Sequence, residues 1–501
     1  MQSNWKVVKA ALRLAWFCGC DRGIKPLLQF VLLCCATGLS AQDRPYNVLL
    51  LLIDDTSPIY NSVYQESGVQ TPNLERLASQ RTWFTHGYTY PGCCISRTAF
   101  LTGLRPSTTG VYYNGQNFRQ VDSWVSKVET LPERFKRAGY LTAGYGKIFH
   151  NRYQEFDTDS WSEGYVVPFS SQAEGELLKN IIPGTKTVIP DGPSNYTWGI
   201  LPDDWDRDDE SKMSQDRLNS KRAADFLGKD HDEPFFLAFG CWRPHVHWTV
   251  PQRYYDMYPL EEIEIPEGFR GDDLEDIPKP GRWIATHRGF HDKMVTNALW
   301  KKALQGLFAS TTYADEQIGR VLDALENSPY KDNTIVVFAG DNGWHTGQKN
   351  HWSKFVLWEL ATRVPYSIKV PGMKPQVSNT PVSLLDLYPT LTSLCGLSGP
   401  KTHELEGSDI TPLLSGATSD RGAPVVLSYG YQNHAVRDDR FRSIRYRNGD
   451  EELYDHENDP DEWTNLASQS RYQHIKDRLA NHFPQVNAQD VPFVGADINI
   501  F

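Results

Sequence analysis

Four short apolar runs, each running straight into polar residues, limit what this chain can fold into more than any other feature. Residues 46–53 are unbroken, branched and too few for a typical helix, which predicts a strand buried on both faces of a parallel sheet; Asp54 and Asp55 follow at once. Residues 334–340 lead into Asp341 and Asn342, residues 235–240 into Trp242, Arg243, Pro244 and His245, and residues 140–146 into Lys147 and His150. Helical patterns at residues 130–138, 213–227 and 307–325 lie between them. Strands alternating with helices predict an α/β architecture with a doubly wound, mostly parallel sheet. Ligands of such sheets sit beyond the carboxyl ends of the strands, which is where all four runs deliver their polar residues. A single Asp or Asn after a strand is commonly a turn former or helix cap. Four strands that all end in acids, amides or bases point to one shared polar site.

Composition agrees with a packed, enzyme-sized chain. Of 501 residues, 40% are hydrophobic and 12% aromatic, which argues against disorder, and five Met argue against a membrane bundle. The formal net charge of −11 disfavours a protein that coats polyanions, so nucleic acid is not an expected partner. Residues 1–41 carry Lys6, Lys9, Arg13, Arg22 and Lys25 ahead of an apolar run at 26–36 and small residues up to Ala41, the pattern of an export signal cleaved after Ala41. That run is shorter than the roughly 20 residues a spanning helix needs. The mature chain is therefore expected to be periplasmic or secreted, without an integral membrane span. Cys18, Cys20, Cys34 and Cys35 fall inside the signal, leaving Cys93, Cys94, Cys241 and Cys395. These form no disulfide framework and no C-x-x-C pair, so a chemical role for one of them is worth seeking.

Residues 90–97, Tyr-Pro-Gly-Cys-Cys-Ile-Ser-Arg, start with turn formers and run into Thr98, Ala99, Phe100 and Leu101, which reads as a short helix ended by Gly103. Cys93 would sit at its N-terminus, where unpaired N–H groups and the helix dipole favour an anion, and Arg97 adds a positive charge one turn on. A thiol there would be activated, or its carbonyl derivative well placed to bind an oxyanion. A buried structural cysteine is the alternative.

The segment from Cys93 to Arg97, with Leu101-Thr102-Gly103 behind it, closely resembles the type I sulfatase motif Cys-x-Pro-Ser-Arg with its downstream Leu-Thr-Gly. The resemblance continues through residues 47–55, Thr71-Pro72-Asn73-Leu74 with Leu77-Ala78, Gly146-Lys147, Asp341-Asn342-Gly343, Leu453-Tyr454-Asp455, Asp459-Pro460 and Asn465-Leu466. Lys147 and His150, the Arg243-Pro244-His245 turn and the long segment before Asp341 look most like the iduronate-2-sulfatase branch. Two positions depart from the pattern: Ile95 stands where Pro or Ala is usual, and Leu104 where Arg is common.

Asp54, Asp55, Asp341 and Asn342 offer only oxygen ligands, a set that selects a hard cation over zinc or copper. The resemblance implies that this cation is one Ca2+, with residue 93 also at the metal, and that a formylglycine-generating maturation enzyme oxidises Cys93 to formylglycine. It implies an alkaline-phosphatase-like fold, a catalytic domain over residues 42–418 and a smaller α+β subdomain over 419–501. It further implies that the hydrated aldehyde attacks sulfur, the alcohol leaves, and sulfate is then eliminated. Arg97 would hold the hydrate, Lys147 and Lys354 would face the charged oxygens, His150 would assist the elimination, and His245 with Lys354 would stand at the leaving oxygen. His247 and His345 are expected only to line the pocket, and His351 to pack beside Trp352. The implied substrate is a sulfated polysaccharide or oligosaccharide, with uronic-acid-containing chains such as ulvan or a glycosaminoglycan among the candidates. A phosphonate or phosphodiester hydrolase of the same fold is an alternative. So is a noncatalytic binder of sulfated glycans if Ile95 blocks maturation.

Elsewhere, residues 151–209, ending in the acidic run 203–210, and residues 251–291 read as long irregular loops. Residues 382–395 and 411–414 read as helices, and 414–424 as a boundary. Residues 435–447 and 452–455 read as antiparallel strands joined at Asn448-Gly449-Asp450, with a helix over 469–481. Asn195-Tyr196-Thr197 matches a glycosylation acceptor for a eukaryotic secretory host.

Overall fold

The computed structural model describes residues 45–64, 68–150, 158–166, 177–190, 197–207, 209–265 and 269–493. The expected export signal, and Asn195 of the glycosylation acceptor, lie outside them. Among the described residues the central sheet contains β1 (Asn47–Ile53), β2 (Thr82–Tyr88), β3 (Leu141–Gly146), β4 (Glu163–Val166), β5 (Phe235–Cys241), β6 (Thr334–Gly340), β7 (Arg363–Lys369), β8 (Gln376–Ser378) and β9 (Val382–Ser383). In space they run β8-β2-β7-β6-β1-β5-β3-β4, with β9 also beside β2. β7 is antiparallel to both of its neighbours, and the other pairs are parallel.

β1 is buried along its whole length because it lies mid-sheet with helices on either face. Its alternate residues point to opposite faces. Val48, Leu50 and Leu52 join Phe100, Leu131, Phe135 and Leu387 on one side. Leu49, Leu51 and Ile53 join Ala223, Phe226, Ile318 and Leu322 on the other. Each of these fully buried aliphatic side chains contributes roughly 1.5–3 kcal/mol relative to exposure. The flanking helices include α1 (Cys93–Thr102), α2 (Leu131–Arg137), α3 (Gln215–Leu227), α4 (Trp300–Glu326) and α5 (Leu387–Leu394). Thr130 and Glu133 close a capping box at the start of α2. Ser214 caps α3, accepting from the Arg217 N–H at 3.2 Å. The helix pattern read from residue 307 begins at Trp300, because Gly306 breaks the apolar spacing in sequence. In space that glycine admits Trp248, whose Cβ would lie 3.2 Å from a Cβ at 306.

Other expectations need correction. Residues 382–395 open as β9, pass through a 3-10 turn at Leu384–Asp386, and are α-helical only over α5. Asp386 accepts from the Ser383 N–H and forms a salt bridge with Arg421, which fixes that turn. The single strand expected over 435–447 is a hairpin, His434–Arg437 paired with Phe441–Arg445, folded where Asp438 accepts from the Arg440 and Phe441 N–H groups. With Val425–Ser428 and Glu451–Asp455 these strands make a small antiparallel C-terminal sheet. The expected loops at 151–209 supply the edge strand β4, and those at 251–291 contain the helix Lys279–Thr286. No helix among the described residues is long and apolar enough to cross a membrane.

The register brings the strand ends together. Ile53 lies opposite both Cys241 and Gly340, and Gly146 lies opposite Gly240. The last pair touches: a Cβ on Gly240 would sit 1.8 Å from the Lys147 carbonyl oxygen, and the Lys147 N–H donates to the Gly240 carbonyl at 2.8 Å. Gly240→Ala is therefore expected to destabilise the protein by about 1–3 kcal/mol through overpacking against backbone. A denaturant midpoint equal to the wild type would show that the strands yield there.

Candidate active site

Beyond the aligned strand ends, the chain turns sharply. Asp55 takes a left-handed backbone conformation with φ of 56°, and its N–H donates to Asp341 Oδ1 at 3.1 Å. Asn342 Nδ2 donates to Asp55 Oδ1 at 2.8 Å, so the β1 and β6 exits are stitched to each other. On the facing side α1 begins at Cys93, with Gly92 as its N-cap and Gly103, at φ of 70°, as its C-cap. Gly92 has no side chain to cap the helix, and Asn114 does so from a distance, accepting from the Cys94 N–H at 3.0 Å. Cys93 and Arg97, four residues apart, share the face turned to the acidic cluster. Cys94 and Thr98 look the other way, into a cavity also lined by Gln116, Asn117, Phe118 and His150.

Polar contacts at the centre are short and dry. The Cys93 thiol donates to Asp54 Oδ1 at 3.2 Å and accepts from Lys354 Nζ at 2.7 Å. Lys354 also pairs with Asp55, and Lys147 with Asp54. Arg97 Nε donates to Asp341 Oδ2 at 2.8 Å, and the guanidinium also reaches the Lys147 and Ile148 carbonyls. His245 donates through Nδ1 to the Val246 carbonyl, which aims Nε2 at Asp55 Oδ2, 3.6 Å away. Asp54, Asp55, Cys93 and Asp341 each place one ligand atom within 4.8 Å of the others.

Electrostatics explain what this cluster lacks. Burial pushes Asp341 up to about 7 although Arg97 opposes the shift, and burial also raises Asp55 despite Lys354. Against burial, Lys147, His245 and Lys354 hold Asp54 well below the carboxylate range. Asp55 Oδ2 and Asn342 Oδ1 are buried acceptors with no hydrogen-bond donor among the described residues. Crowded carboxylates in a dry site, together with two orphaned oxygens, are what a hard divalent cation satisfies, so the residues present fit such an ion. Burial, then Asp341 and Asp54, push the Cys93 thiol well above its ordinary range, and Lys147 and Lys354 oppose that shift without overcoming it.

A sulfatase family model matches residues 46–397, and a second, for the C-terminal part of N-sulphoglucosamine sulphohydrolase, matches residues 347–489. The chain belongs to the sulfatase family. It is similar to a sulfatase of Formosa agariphila, 35% identical with 92% of each chain covered. It is also similar to mouse iduronate 2-sulfatase, 30% identical with 79% of this chain and 75% of the relative covered. The solved phosphonate monoester hydrolase of Agrobacterium radiobacter has the same fold, with a TM-score of 0.69 at 20% identity, covering 87% of this chain and 94% of that one. The protein is thus a sulfuric ester hydrolase of alkaline-phosphatase-like fold.

In this sulfatase the structure gathers Asp54, Asp55, Cys93, Arg97, Lys147, His245, Asp341, Asn342 and Lys354 into one contact network. His150 makes no hydrogen bond to it among the described residues but lies within electrostatic reach on the cavity wall: it is buried, and burial, then Lys147 and Lys354, push it well below the imidazole range. His345 and His351 pack, with ring centroids 5.5 Å apart, and the His351 ring lies between the Ala285 and Lys354 carbonyls at 2.8 and 2.9 Å. His247 is also buried, beside Thr197.

Two residues, Asn114 and Asp216, escaped sequence reasoning, and Trp242 was placed at a strand end without a role. Asn114 caps the nucleophile helix. Asp216, in the first turn of α3, accepts from the Trp242 N–H at 2.6 Å and the Arg243 N–H at 3.2 Å, fixing the turn that carries His245. Trp242 lies under Lys147, whose Nζ is 4.0 Å from a ring centroid. The first two have no local signature, since their partners are remote in sequence. Trp242 did carry one, its place immediately after a strand end.

The C-terminal sheet supports the loop that carries Lys354. Arg442, fully buried, pairs with Glu359 and Glu462 and donates to the Leu357 carbonyl at 2.9 Å. Arg442→Met leaves two carboxylates buried without that cation and is expected to cost about 3–5 kcal/mol. Denaturant unfolding checks this, and a loss below about 1 kcal/mol would mean that Arg437 and His456 suffice.

Proposed function

We propose that this protein is an exported sulfatase that removes sulfate esters from a sulfated, uronic-acid-containing polysaccharide or oligosaccharide, with Cys93 matured to formylglycine and one calcium ion at Asp54, Asp55, residue 93, Asp341 and Asn342. The observation that carries the reading is the position of Cys93: it opens a helix, lies between Lys354 and Asp54, and shares a cluster of close ligand atoms with Asp54, Asp55 and Asp341. The likeness to iduronate 2-sulfatase supports a uronate-containing glycan, and the pattern of residues 1–41 supports export.

A calcium ion there supplies fixed positive charge to the nonbridging sulfate oxygens, and a hydrated formylglycine supplies the attacking oxygen. The chain's own residues do the rest. Lys147 and Lys354 add positive charge on either side of residue 93, and against the pull of burial the Asp55 and Asp54 carboxylates keep the Lys354 ammonium protonated. Arg97, held by Asp341 and two backbone carbonyls, fixes the hydroxyls of residue 93. Lys354 and His245 donate towards the departing alcohol oxygen, and His150 takes up the proton that sulfate release requires.

Peptide mass spectrometry across Cys93, on protein from its native host, tests maturation: the aldehyde is expected, and an unmodified thiol overturns the mechanism. Turnover of sulfated oligosaccharides, an aryl sulfate and a phosphate diester tests the chemistry. Faster hydrolysis of the phosphate diester would favour the phosphodiesterase alternative.

A further inference from the structure

Between Pro278 and His291 the chain carries Lys279, Arg282, His287 and Arg288 and no acidic residue, in a protein of net charge −11. The inner side of the helix Lys279–Thr286 is fastened to the active-site region. A Cβ on Gly281 would lie 2.6 Å from the Tyr446 hydroxyl, and the Ala285 carbonyl meets the His351 ring, which in turn meets the Lys354 carbonyl. Its outer side displays Trp283, 55% exposed, with its ring stacked on His287 at 4.4 Å between centroids and 13° between planes. Arg288 comes next, half-buried, with its guanidinium carbon 4.8 Å from the centroid of Phe355. The same ring lies 5.7 Å from Lys354 Nζ, which touches Cys93. A continuous path thus leads outward from the nucleophile through Lys354, Phe355 and Arg288 to the Trp283–His287 platform.

We infer that Arg288 and the Trp283–His287 platform form a subsite for the sugar units next to the one that loses its sulfate. Arg288 binds an oxyanion on the neighbouring unit, and Trp283 stacks under the ring beyond it. The inference rests on the sulfated-glycan reading above and adds that the substrate is a polyanionic chain, not an isolated sulfate ester. A guanidinium held against an aromatic ring loses less freedom on binding, and its fork of donors matches a carboxylate or a sulfate. An aromatic plane that keeps one face in water suits the apolar face of a sugar ring. The basic stretch is the electrostatic complement of such a chain, while the negative charge elsewhere repels it from wrong sites.

The test compares wild type, Trp283→Ala, Arg288→Ala and Arg288→Lys on 4-nitrophenyl sulfate and on defined oligosaccharides containing 2-O-sulfated uronate. In the oligosaccharides the neighbouring unit carries a carboxylate only, a sulfate only, or neither. For substrates with an anionic neighbour, Arg288→Ala is expected to lower the ratio of kcat/KM to that for the aryl sulfate by about tenfold to a hundredfold, chiefly through KM, with partial recovery in Arg288→Lys. Whichever anionic neighbour shows the larger drop identifies the oxyanion. Trp283 is exposed, so its variant is expected to fold, and the same ratio should fall about threefold to tenfold on a tetrasaccharide and less on a disaccharide. Ratios unchanged in both Ala variants, with the wild type cleaving the oligosaccharides, overturn the subsite. A wild type that cleaves the aryl sulfate and none of the saccharides overturns the glycan reading itself, and the subsite with it.

Discussion

Cys93→Ala is expected to lower kcat for sulfate ester hydrolysis by roughly 10⁴- to 10⁶-fold, the scale of loss when a hydrolase is deprived of its nucleophile. The fold should survive. Cys93 is small, and its removal leaves Lys354 paired with Asp55 and Lys147 paired with Asp54, so no buried charge is stranded. Steady-state rates on an aryl sulfate, with the thermal midpoint measured on the same preparation, separate chemistry from folding. Activity near the wild-type level would remove Cys93 from the mechanism. A parallel loss of the thermal midpoint would instead make it a core residue, the fate of most buried cysteines.

Asp341→Ala should show the opposite balance, a loss of stability as well as activity. The carboxylate is buried, accepts from Arg97 Nε at 2.8 Å and from the Asp55 N–H at 3.1 Å, and contributes to the oxygen cluster. Without it Arg97 keeps a 3.9 Å approach to Asp54 and two carbonyl contacts, but loses its close carboxylate. Removing one partner of a buried pair costs about 3–5 kcal/mol. The proposed calcium ion supplies a second readout. Chelation should abolish wild-type activity and added calcium should restore it and raise the thermal midpoint, whereas neither response is expected in the variant. A variant as stable as the wild type and still rescued by calcium would place the ion elsewhere.

Much of this site was legible in the sequence because its parts obey local rules. Residues 46–53 read as a buried strand since the six from Val48 to Ile53 are all aliphatic, and Cys93 read as a helix start since Pro91 and Gly92 stop the preceding chain ahead of a run ended by Gly103. The hairpin at His434–Arg445 was missed because Asp438 turns the chain through backbone contacts that look, in sequence, like one more polar residue in a strand. β2 and β7, the antiparallel side of the sheet, carry weak patterns and earned no prediction.

The sequence by itself determined which residue types stand at the strand ends, that their donor set is oxygen-rich, and that Cys93 opens a helix. Those are properties of a few neighbouring residues and of backbone geometry with short periods. Only the tertiary structure decided that Ile53 lies opposite both Cys241 and Gly340, that Asn114 caps α1 and Asp216 holds the His245 turn, and that Arg288 meets Lys354 across Phe355. Register and burial arise from packing between segments far apart in the chain. At such a depth the balance between desolvation and paired charge, which raises the Cys93 thiol and lowers Asp54, depends on partners that no local stretch of sequence names.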